Sequence, residues 1–143
     1  MIFDFGFSNF DLAMTESEMK QRTKAFAFRV LKLIDSVPDA RSGRVLANQL
    51  GRSGTSVGAN YRAACRSRST AEMISKLAVV EEEADESAFW LELVGDHGLM
   101  SADKLAPLLR EADELTAIMV ASRKTLQTKQ GKSKIENPKS KIR

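Results

Sequence analysis

Seven residues near the carboxyl end, Leu105, Leu108, Ala112, Leu115, Met119, Ser122 and Leu126, recur at spacings that alternate between three and four without a miss. A strand would send alternate residues to opposite faces, so this run cannot be a half-buried strand. It is a heptad seam over three repeats, the pattern by which one helix packs along another. A helix with such a stripe must bury it against other helices, and the rest of the chain supplies them. At 143 residues with 43% apolar content, the chain makes one domain with a sizeable core.

A first helix is expected over about 16–36. Thr15 and Glu18 fit the capping box, in which each side chain satisfies the other's free backbone N–H. Its stripe is Phe26, Val30, Leu33 and Val37, widened by Phe28, Leu31 and Ile34. Val37-Pro38-Asp39 stops it, because a residue before proline avoids the helical region. A second helix is expected over about 40–67, with Leu46, Leu50, Gly54, Val57, Tyr61 and Ala64 on one face. Gly51, Gly54 and Gly58 sit inside it, each costing about 1 kcal/mol against alanine. They imply either close approach to a neighbour or a break near 51–54 into two short helices. A third helix opens on a second capping box, Ser69 and Glu72, and runs to about Val94 before Gly95 and Gly98. Its seam is Ile74, Leu77, Glu81, Ala84, Ala88 and Leu91. Glu81 either reaches the edge of that seam or is held by an arginine of the second helix. The fourth helix starts near Ser101 or Asp103, since Pro107 belongs close to a first turn, and runs to about 127.

The expected fold is therefore all-α: an antiparallel up-down-up-down four-helix bundle over 15–127. Its loops fall near 37–40, 67–70 and 95–102. Its core includes Phe26, Val30, Leu33, Leu50, Val57, Leu77, Ala84, Leu91, Leu108, Leu115 and Met119. Residues 1–14 read as an irregular extension, and Met14 stands as an alternative initiator. Residues 128–143 read as a disordered basic tail.

Much chemistry is excluded by count. The single Cys65 and single His97 cannot close a four-ligand zinc site or a disulfide framework. Bundle di-iron centres need inward Glu-x-x-His pairs on two helices, which one histidine in a glycine-flanked loop does not give. GRSGTSVG lacks the phosphate-loop spacing and its lysine, and no apolar strand precedes it. Cys65 neighbours Arg62, Arg66 and Arg68, which would activate a thiol, but no resolving cysteine or nearby histidine accompanies it. The chain is expected to be no enzyme and to need no cofactor or metal. The apolar amino end carries Asp4 and Asp11 and lacks a basic leader region, and no stretch is long enough for a membrane span. A cytoplasmic protein without membrane association is expected.

The net charge of +3 hides strong blocks. Residues 40–71 carry Arg41, Arg44, Arg52, Arg62, Arg66 and Arg68 and no acid. Residues 72–92 carry seven acids against Lys76. Residues 120–143 carry eight basic groups, Lys129, Lys132 and Lys134 among them, against Glu136. On a helix Arg44 and Arg62 are five turns apart and share a face, which Arg66 joins, while Arg41 and Arg52 lie off that line.

The second and third helices resemble a known family. The run Arg52-Ser53-Gly54-Thr55-Ser56-Val57-Gly58-Ala59-Asn60-Tyr61-Arg62 after Gln49-Leu50, then Lys76-Leu77, Glu83-Ala84, Glu86 and Phe89-Trp90-Leu91-Glu92-Leu93, carries the resemblance. It is similar to four-helix bundle proteins encoded in intervening sequences of bacterial large-subunit ribosomal RNA genes, and to accessory proteins of diversity-generating retroelements. It covers about residues 20–125. The resemblance implies a ring-like homopentamer without enzyme activity, and nucleic acid or a reverse transcriptase as partner. Ala63 departs from the acid that often follows N-Y-R in the family, and Glu82 from a common lysine.

Two functions follow. One is a non-catalytic oligomer that associates with RNA or DNA through the six arginines and the lysines Lys129, Lys132 and Lys134, since arginine forks suit phosphates. The other is a protein–protein scaffold or accessory subunit in which the basic block meets the acidic block of a neighbouring helix or subunit. The two separate on where the six arginines lie.

Overall fold

The computed structural model describes residues 2–3 and 14–136, with side chains from 14 to 132. Four helices follow in order: α1 (Glu16–Ile34), α2 (Arg41–Cys65), α3 (Thr70–Asp96) and α4 (Ala102–Glu136). α1 and α3 begin on side-chain caps. Glu18 N–H donates to Thr15 Oγ1 at 3.0 Å and Glu72 N–H to Ser69 Oγ at 3.1 Å. The return half of the second box goes one residue further back, where Glu72 accepts from Arg68 N–H at 3.0 Å. α3 ends in a Schellman turn: Gly98 takes φ +76°, and Leu99 N–H reaches Val94 O at 3.0 Å.

α2 is one unbroken helix because its glycines face α1. A Cβ on Gly54 would lie 2.7 Å from Val30 Cγ2, and one on Gly58 3.4 Å from the Thr23 main chain. These contacts run antiparallel, as do the buried Ser53–Ser87 hydroxyl pair (2.9 Å) between α2 and α3 and Gly95 against Leu105 between α3 and α4. The helices thus run up, down, up, down, and α1 touches α4 least of the neighbouring pairs. Across that gap Arg22 forks onto Glu111 (2.7 and 3.0 Å) and reaches Glu114 (2.8 Å).

The core holds Phe26, Val30, Leu50, Val57, Leu77, Ala84, Leu91, Leu108, Leu115 and Met119 as expected, while Leu33 is only half-buried. On α1 the stripe is narrower than expected and reaches further toward the amino end: Met19 and Thr23 are fully buried, whereas Phe28 and Leu31, about 200° and 140° round from Phe26, are exposed. Those two lie on the side of α1 that no helix covers. On α3 the inward face is Met73, Leu77, Val80, Ala84, Ser87, Leu91 and Val94, and Ile74 is half-buried.

Both ends depart from the expectation. Ile2–Phe3 pairs antiparallel with Met14–Thr15, so this part of the extension is a two-residue ladder and not irregular. α4 continues nine residues past Gln127, to Glu136, where a structureless tail is expected. Extending an existing helix costs far less than starting one, and lysine, glutamine and glutamate are good helix formers, so Gly131 does not end it. Residues 137–143 lie outside the described residues.

Candidate nucleic-acid interface

An unbroken α2 sets the geometry of the basic block. Arg41, Arg44, Arg52, Arg62 and Arg66 are all exposed, on the side of the helix away from Leu50, Val57 and Tyr61. At about 100° per residue they fall within an arc of roughly 80°. Arg41 and Arg52, read from the sequence as off the ridge, sit on its flank. Arg68 is exposed in the turn before α3.

Two of the six are engaged within the chain. Arg44 pairs with Asp39 at 2.6 Å. Arg52 bridges to α3, pairing with Glu83 at 3.3 Å and with Glu86. Glu86 also accepts from Trp90 Nε1 at 3.2 Å. The hydrogen bond from Arg52 to Glu86 holds the guanidinium pKa above its ordinary value. Arg41, Arg62, Arg66 and Arg68 form no side-chain ion pair among the described residues. Lys129 and Lys132 are exposed on the last turns of α4, and Lys134 lies on the same stretch of helix. The α3–α4 register, fixed by Arg123 on Glu81 (2.5 and 2.8 Å), puts these turns beside the start of α3, near the end of α2. Glu81 is therefore held by an arginine of α4, and not of the second helix.

Two lysines of α1 join the arginines, a grouping the linear sequence does not reveal because they lie some forty residues upstream. Lys20, Gln21, Lys24, Thr55, Ala59 and Arg62 line an open groove between α1 and α2. Its floor is made of small residues, Ala27, Gly58 and Ala59. Glu16 stands at its edge, 3.4 Å from Lys20. A hydrogen bond from the Cys65 thiol, with Lys20 beside it, holds Glu16 below the usual carboxylate range.

Cys65 is half-buried, and burial together with its bond to Glu16 pushes the thiol up to about 11. The neighbouring arginines point outward and do not activate it. Burial likewise raises the pKa of Tyr61 well above the usual phenol range. His97 is an exposed turn residue 3.1 Å from Ser42 Oγ. Among the described residues no group of three or more His, Cys, Asp or Glu is placed to hold a metal ion, and no helix is long and apolar enough to cross a membrane.

No curated protein is significantly similar to this chain. A crystal structure of a protein of unknown function from the S23 ribosomal protein family of Bacteroides thetaiotaomicron VPI-5482 matches it with a TM-score of 0.71 and 29% identity. The match covers 78% of this chain and 99% of that one. The family model of the 23S rRNA-intervening sequence proteins matches residues 15–121, which takes in all of α1, α2 and α3 and the seam of α4 up to Met119. With its cap-to-cap helices and the glycine-packed α1–α2 pair inside that span, the chain belongs to the 23S rRNA-intervening sequence protein family.

Proposed function

We propose that the protein is a non-catalytic, homo-oligomeric component that holds RNA or DNA by its phosphate backbone. One observation carries the reading: Arg41 at the start of α2, Arg62 in its last turn, and Arg66 and Arg68 just beyond it remain exposed without an ion pair among the described residues. No acid occurs between Ala40 and Ala71 to neutralise them. Guanidinium groups match phosphate geometry and add affinity by releasing counterions, without reading sequence. Aromatic stacking on bases has little to work with on this side, since Tyr61 is buried and Phe89 and Trp90 lie on α3.

The assembly belongs to the same proposal, a pentamer by family resemblance. The three α2 glycines do not support it, because α1 of the same chain uses them. The support is the exposed Phe28, Val45 and Phe89, which are large apolar side chains to leave in water.

The second reading, a scaffold or accessory subunit without direct nucleic-acid contact, is favoured by Arg52, whose fork onto Glu83 and Glu86 is the basic-on-acidic docking that reading requires. Anisotropy of labelled RNA and DNA oligomers across a salt series separates the two. Replacing Arg62, Arg66 and Arg68 by alanine is expected to flatten the slope of log affinity against log salt by about 2 on single strands. Absence of binding by the wild-type protein at low salt overturns the nucleic-acid reading in favour of the scaffold.

A further inference from the structure

We infer that the α1–α2 groove bounded by Lys20, Lys24 and Arg62 is the seat of the phosphodiester strand, so that α1 and not only the arginine helix forms the binding site. This rests on the nucleic-acid reading above and adds its location. Lys20 and Lys24 are one turn apart on α1, about 6 Å along the axis, and Arg62 faces them from α2. The three cations thus line both walls of one groove. Its lining contains no acidic residue, and Gln21 adds an amide donor. Thr55 is not a free donor, since its hydroxyl is spent on the Gly51 carbonyl at 2.7 Å.

The floor explains the class of ligand. Ala27, Gly58 and Ala59 leave it shallow and smooth, and no aromatic side chain lines it. Nothing encloses a mononucleotide or stacks a base, so a small phosphorylated metabolite gains little there. A polyanion laid along the groove gains at several points, and it leaves the groove toward Arg66, one turn beyond Arg62. Lys20 is shared with Glu16, so Lys24 and Arg62 carry most of the free charge.

The test uses the full chain and oligomers of one sequence as single-stranded RNA, single-stranded DNA and the two duplexes. One variant is Lys20→Ala/Lys24→Ala. A second is Ala59→Glu, which sets a carboxylate on the exposed floor without removing any cation. Both are expected to weaken binding to all four oligomers. The lysine variant should also lower the single-strand salt slope by about 0.7 to 1.4, the full contact of Lys24 and the partial one of Lys20. RNA and DNA single strands should respond equally, because the groove holds charge and not a sugar reader. Loss of binding in Arg62→Ala/Arg66→Ala/Arg68→Ala with both groove variants unchanged overturns the groove and leaves the nucleic-acid reading standing. No binding by wild type at low salt overturns both. Circular dichroism melts confirm that the surface variants remain folded.

Discussion

Replacing Gly54 by alanine separates close helix packing from helix propensity, which push stability in opposite directions. In a helix interior glycine to alanine is worth about 1 kcal/mol in favour of the variant. At Gly54 the new Cβ would lie 2.7, 2.8 and 3.0 Å from three atoms of Val30, a side chain with no exposure. Valine has essentially one helical rotamer and cannot swing away, so α1 itself must move. Overpacking of this kind costs about 1–3 kcal/mol, and with three atoms inside contact the upper part applies. The expected net is a loss of about 1–2 kcal/mol. Gly58→Ala is the internal control. There the Cβ would sit 3.4 Å from Thr23, an ordinary contact, so the propensity gain survives. Urea unfolding at fixed protein concentration reads the difference. With a slope of about 2 kcal/mol per molar, Gly54→Ala should fall by about 0.5–1 M at the midpoint while Gly58→Ala holds or rises. Combining Gly54→Ala with Val30→Ala should cost less than the two singles together, by about 1–2 kcal/mol. A Gly54→Ala protein as stable as Gly58→Ala would refute the close-packing account of α2.

Arg22→Met should cost about 2 kcal/mol by thermal or urea unfolding, because it strands Glu111, only 14% exposed, on the weakly packed α1–α4 side. Arg52→Ala, on an exposed bridge, should leave the melting temperature unchanged within error. Cys65 should react with a thiol reagent only as pH passes about 11, and a midpoint at or below the free-thiol range contradicts its burial. Since the folded thiol ionises later than the unfolded one, its contribution to stability is complete below about 9 and declines as pH rises toward 11. Light scattering should give a particle several times the 15.8 kDa chain at micromolar concentration, and a monomer there removes the proposed assembly.

The features legible in the chain before folding are those that short-range physics controls. Thr15 and Ser69 cap their helices because each needs only a donor three residues ahead. The α4 seam up to Leu126 follows from 3.6-residue periodicity alone, and so does the exposure of the α2 arginines once that helix is unbroken. Whatever depends on how helices cross was settled by packing. The width of the α1 stripe is one case: Met19 falls on the stripe of Phe26 and Val30, while Phe28 and Leu31, counted as widening it, sit about 200° and 140° round from Phe26 on a side the bundle leaves uncovered. Glu81 needed a cation, and the α3–α4 register supplied Arg123, 42 residues away, in place of a nearer arginine. Lys20 and Lys24 are unremarkable on α1 until that helix packs against α2 and sets them opposite Arg62. Contacts of that kind rest on ångström-scale register between elements far apart in the chain, which no local spacing encodes.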